Sequence, residues 1–209
     1  MVRRTLQLAV LSALLLPLLL YAQHSDQAPS QAKSGAKLTD QQKIASAMSA
    51  APANLAKNAT ILDWPETTGG QPRQLRAGTN GWVCYPSMPS TLQGASGEDP
   101  MCLDRQWQNW LDAWTNKTTP KVTGTGIAYM LRGDRGASNT DPFAMGSTPT
   151  NQWIMSPPHI MVLFEDTEML DAYPTDPMNG GPWVMWKGTP YVHLMVPVSE
   201  TKAATRATN

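Results

Sequence analysis

The chain has 209 residues, with 16 basic and 16 acidic side chains, three His and two Cys. No run or patch of Lys and Arg stands out, which argues against nucleic acid and anionic membrane surfaces as partners. The length suits one domain with a real core.

In chain order, the first element is an export signal. Arg3 and Arg4 precede a nearly unbroken apolar run, Leu6–Leu20. Its length fits a signal-peptide core better than a membrane span of about 20 residues. Cleavage after Ala22 would leave a chain with no further membrane insertion, and the uncleaved anchor is the alternative. No Cys follows the site, as lipid attachment would require. Removing the two leader arginines leaves 14 basic against 16 acidic residues. The expected location is periplasmic or extracellular. Residues 23–37 are polar and rich in Ala, Ser and Gln, so a disordered tether is expected, and 199–209 reads as a tail of the same kind. The folded body is then 38–198.

The body opens with a helix signalled by a capping box, Thr39 with Gln42, and closed or kinked by Pro52. A second short helix over 52–58 is expected. Strands are expected at 60–64, 73–77 and 82–85, the last after an Asn80-Gly81 turn. Asp99 and Pro100 then predict a helix over about 100–117. Leu103, Trp107, Trp110, Leu111 and Trp114 fall on one face of it, which is a core stripe or, in the rival reading, a sugar platform. A strand at 126–132, a long loop at 133–156, a strand at 159–165, a short helix at 168–173 and a hairpin pairing 183–187 with 191–198 complete the body. The sum is an α+β domain, an antiparallel sheet with two or three helices packed on it.

Cys84 and Cys102 are expected to form one disulfide if the chain is exported, with two buried thiols as the alternative. They are not spaced as a zinc or haem motif. No His-Glu-x-x-His, Gly-x-Ser-x-Gly or phosphate loop occurs. Asp134, Asn139 and Asp141 in the long loop offer oxygen ligands to Ca²⁺, against the plainer reading that Asn and Asp are turn residues.

The strings TNGWVC, DPMCLD, GIAYML, SNTDP and GGPWVMWKGTPYVHLMVP resemble a group of exported bacterial proteins, over most of residues 45–198. The resemblance implies bacterial origin and export, and brings no activity and no catalytic residues with it.

The chemistry is concentrated in a repeat. His159-Ile-Met161-Val and His193-Leu-Met195-Val hold two of the three His. On a strand, residues two apart share a face, so His159 and Met161 stand opposite the apolar Ile160, Val162 and Phe164. His193 and Met195 likewise stand opposite Val192, Leu194 and Val196. Imidazole with thioether suits soft Cu(I), which makes copper the candidate cofactor. If residues 188–190 form a three-residue loop, Met185 faces His193 and Trp183 faces Met195, adding both to the set. A two- or four-residue loop reverses the parity. Ordinary core packing of Met and His is the competing reading.

Three function classes follow. The first is a non-enzymatic ligand- or partner-binding protein of the cell envelope. The second is a Cu(I)-binding protein using His159, Met161, His193 and Met195, with Met185 and Trp183. The third is a small hydrolase in which His159 or His193 acts as a base oriented by Asp141, Glu165 or Asp176.

Overall fold

The computed structural model describes residues 38–67, 69–89, 92, 98–198 and 205–206. The expected signal peptide and tether lie outside the described residues, as does most of the expected tail. The fold is mixed α+β and mostly sheet.

The main sheet has eight strands: β1 Thr60–Asp63, β2 Arg73–Arg76, β3 Val83–Tyr85, β4 Met101–Leu103, β5 Gly126–Met130, β8 His159–Leu163, β9 Trp183–Met185 and β10 His193–Pro197. Their order across the sheet is β2-β1-β3-β4-β5-β8-β10-β9. All neighbours are antiparallel except β1 and β3, which run parallel, so the sheet is mixed where a purely antiparallel one was expected. A second sheet has β7 Trp153–Ser156 between β6 Asp134–Ser138 and β11 Thr205–Arg206. These last two residues lie in the stretch expected to be a disordered tail.

Three α-helices, α1 Asp40–Met48, α2 Ala53–Ala56 and α3 Arg105–Thr115, and a 3₁₀ helix, Thr167–Ala172, complete the described elements. The capping box of α1 forms in full: Thr39 Oγ accepts from Gln42 N–H, and Gln42 Oε1 accepts from Thr39 N–H. Ala47 of α1 packs with Ala50, Ala56, Ala59, Ile61 and the two half-cystines. These small side chains let helix and sheet approach closely.

Two expectations need correction. The helix does not begin at Pro100. Residues 101–103 are a strand, and Cys102 stands directly opposite Cys84 on β3, to which it is disulfide-bonded. Asp104 is the true N-cap, accepting from Trp107 N–H at 3.0 Å, while its other oxygen takes Ile127 N–H at 2.5 Å. Asp99 is buried and accepts from Met88 N–H instead. The apolar stripe survives the shift: Trp107, Trp110 and Leu111 are buried, and Leu103 joins the same core from β4. The second correction concerns 133–156, which contains β6 and β7. Gly133 makes the turn into β6 at φ +71°, where a Cβ would lie 2.3 Å from Ser156 O. Only glycine fits there.

Candidate functional site: a chamber lined by Met, His and Trp

The side-chain parity of β8, β9 and β10 decides what lines the sheet. Met195 pairs with Met161 on β8 and with Trp183 on β9, and His193 pairs with Met185. This is the parity of the three-residue loop, although the connection between the paired strand ends is longer, residues 186–192. On the other side of β8, Met161 pairs with Ala128 and His159 with Met130. Paired residues share a face, so one face of four adjacent strands carries Met130, His159, Met161, Met195, His193 and Met185.

A cavity of about 120 Å³ lies over this face, and all six line it. Its other walls come from α3 (Trp107, Trp110, Trp114), from β6 (Asp134, Gly136, Ala137, Ser138), from Met88 and Met101, and from Trp186. Trp183, expected in the set, does not line the cavity. Its indole is fully buried and donates from Nε1 to Asn139 Oδ1 at 3.1 Å. Trp186 takes the place expected for it. The backbone of Trp186 is left-handed, φ +56°, which is costly for a bulky residue. Two hydrogen bonds hold it so: its N–H to Asn139 O at 3.0 Å and its Nε1–H to Ser138 O at 2.6 Å.

Both histidines are buried and use the same local device. Nδ1 of His159 lies 2.7 Å from Pro157 O, and Nδ1 of His193 lies 2.9 Å from Tyr191 O. In each strand the acceptor is the carbonyl two residues back. A carbonyl has no proton to give, so Nδ1 must be the N–H donor and Nε2 keeps the lone pair. This is how ligating imidazoles are oriented in metal sites. Burial pushes both pKa values down to about 4; the carbonyls oppose the shift, and for His193 the charge of His159 adds to it. Both rings are therefore neutral at neutral pH. Nε2 of His159 is buried and has no hydrogen-bond partner. The His193 ring stands edge-on to Trp107, Trp110 and Trp186, at centroid distances of 5.3, 5.7 and 5.1 Å.

The expected His–carboxylate dyad does not form. Nδ1 of each His is committed to a backbone carbonyl. Asp141, Glu165 and Asp176 are all exposed, and Asp141 and Asp176 accept instead from backbone N–H two residues on, Phe143 and Met178. The calcium reading fares no better: Asp134 Oδ1 accepts from Gly136 and Ser156 N–H, and Asn139 ties Gln152, Thr175 and Trp183 together. These are turn and cross-linking roles. Desolvation pushes the Asp134 carboxyl up to about 6 against these N–H groups. Among the described residues, no group of three or more His, Cys, Asp or Glu gathers as metal ligands. The donors that do gather are thioethers and imidazoles. None of the helices there is long and apolar enough to cross a membrane.

Sequence reasoning missed Met88, Met101, Met130, Trp107, Trp110 and Trp186 as chamber walls. The Trp stripe on α3 was visible as a core stripe, but that it faces the His-x-Met strands follows only from the sheet order. No family model, curated protein or solved structure matches the chain.

Proposed function

We propose that this is an exported, non-enzymatic binding protein of the cell envelope whose chamber takes Cu(I). The observation that carries the reading is His159 Nε2, a buried lone pair with no hydrogen-bond partner, on a wall shared with six methionines. An unpartnered buried polar atom is costly and calls for an explanation, and a soft cation supplies one. Thioether and neutral imidazole are soft and borderline donors that favour Cu(I) over hard cations. Because both rings are already neutral, binding displaces no proton from them. Export is supported by the apolar run Leu6–Leu20 and by the buried disulfide, which belongs to an oxidising compartment. The resemblance to exported bacterial proteins points the same way.

One observation favours a second occupant. The Nε1–H groups of Trp107 and Trp110 are buried without acceptors, and a small organic ligand carrying a carbonyl or ether oxygen would satisfy them. Anaerobic Cu(I) titration of the disulfide-intact protein against a chromophoric chelator separates the two. The copper reading predicts tight binding that disappears in the His159→Ala/His193→Ala double variant. Binding of equal strength in that variant, or none in the wild type, overturns it. An organic molecule retained in native mass spectra of metal-free protein would establish the second reading.

A further inference from the structure

The register sets the two histidines apart. From the Met195–Met161 pair, His193 lies two residues along β10 in one direction, and His159 two residues along β8 in the opposite direction. At about 3.3 Å per residue the two are separated by roughly 13 Å along the strands. Bonds of about 2.0 Å from metal to imidazole nitrogen let one ion join nitrogens no more than about 4 Å apart. Nδ1 of each ring is held by a carbonyl on the side away from the Met195–Met161 pair, so the register favours separate sites over a single ion bound by both imidazoles.

Each histidine nevertheless has its own thioethers, in the same arrangement. His193 has Met185 directly opposite on β9 and Met195 two residues on along its own strand. His159 has Met130 directly opposite on β5 and Met161 two residues on along its own strand. Met195 and Met161 are themselves directly opposed, so the two sets touch at their thioethers. All six side chains line one cavity. The Nδ1-to-carbonyl bond, which leaves the lone pair on Nε2, is also repeated. Local geometry, cross-strand partner and same-strand partner are thus duplicated about the Met195–Met161 pair.

We infer that the chamber holds two Cu(I) stations, one formed by His193, Met185 and Met195 and the other by His159, Met130 and Met161. This rests on the copper reading above. Each station supplies one nitrogen and two sulfurs, a set suited to a soft monovalent ion. Both cysteines are in the disulfide, so no thiolate competes. The paired Met195 and Met161 lie between the stations, one assigned to each.

The test is stoichiometry on the mature, disulfide-intact chain, with Cu(I) held reduced by ascorbate under anaerobic conditions and read by chelator competition. Two equivalents are expected. Met185→Leu and Met130→Leu conserve volume and keep the fold. Each should weaken one equivalent by tenfold or more and leave the other unchanged. In ¹⁵N-histidine spectra, Met185→Leu should delay only the Nε2 shift of His193 and Met130→Leu only that of His159. One equivalent, weakened alike by either substitution with both imidazoles shifting together, overturns the two-station arrangement and leaves the copper function standing. No binding at all overturns both.

Discussion

The two faces of β8, β9 and β10 are built from one backbone and differ in almost everything else. One face presents Val162, Phe164, Val184, Val192, Leu194 and Val196, packed with Leu170 of the 3₁₀ helix. Branched aliphatic side chains interlock there, and none brings a polar side-chain atom. The other face presents His159, Met161, Trp183, Met185, His193 and Met195. Long unbranched Met side chains and rigid indoles leave a cavity of about 120 Å³ there, with a buried unpartnered nitrogen at its wall. Alternation along a strand has thus separated stability from chemistry. The aliphatic face holds the sheet together, and the Met/His face holds space and lone pairs.

Acidification should produce the largest effect, and the loss of stability arises on the Met/His face. A buried histidine whose pKa is about 4 in the folded state and about 6.5 unfolded binds its proton more readily unfolded. Stability is then full above pH 6.5 and falls as pH drops toward 4. Each ring accounts for about 3 kcal/mol over that range. Asp134 acts in the opposite sense, since its folded pKa of about 6 lies above the unfolded value and it gains stability as pH falls through 6. The balance is a fall on the order of 4 kcal/mol between pH 6.5 and 4. Urea unfolding at a series of pH values measures it, and the His159→Gln/His193→Gln variant should lose the fall and keep only the gain from Asp134, rising by about 2 kcal/mol over the same range. An equally steep fall in that variant would remove the buried rings as its source.

The aliphatic face is broken by Leu194→Ala, which should cost about 3 kcal/mol, within the usual 2–5 for a buried leucine. Cu(I) stoichiometry of the folded fraction should stay the same, and a changed stoichiometry would mean that the two faces are not independent. Removing the Cys84–Cys102 disulfide should cost about 3 kcal/mol as well, by the chain-entropy argument. That loss arises in the β3–β4 half of the sheet and should leave the pH slope intact. Chemical denaturation of the Cys84→Ala/Cys102→Ala variant reads it.

Much of this division could be read from residue order. Period-two alternation alone puts His159 with Met161, and His193 with Met195, on the less apolar face of its strand, but the parity that brings Met185 to them is open in the sequence and comes from the strand pairing. The capping box and the cysteine pair were equally plain, because each depends on a short-range rule. What stayed hidden depends on long-range order. Met130 joins the site only because β5 neighbours β8, and no local signal encodes that pairing. The sequence reads Met101–Leu103 as helix because Asp99-Pro100 imitates a helix start immediately before a three-residue strand. DRGAS and WIMS lack clean alternation, so β6 and β7 were invisible. Trp186 lines the cavity in place of Trp183 on a left-handed backbone held by Ser138 and Asn139 at the end of β6, a contact distant in sequence.

The smallest effect on stability gives the finest test of the comparison. Met161→Leu exchanges a thioether for a hydrocarbon of nearly the same volume and should cost less than about 1.5 kcal/mol. Leu194→Met makes the reverse exchange on the opposite face at a similar cost. If the two faces differ only in shape, the two variants should behave alike toward Cu(I). If the Met/His face is chemical, Met161→Leu should weaken the His159 station by about tenfold or more and leave the His193 station unaltered, while Leu194→Met should change neither. Chelator competition on this pair therefore asks whether sulfur or volume is what Met161 contributes, with the fold held nearly constant in both arms. Equal copper affinities in the two variants would return Met161 to the core as a packing residue.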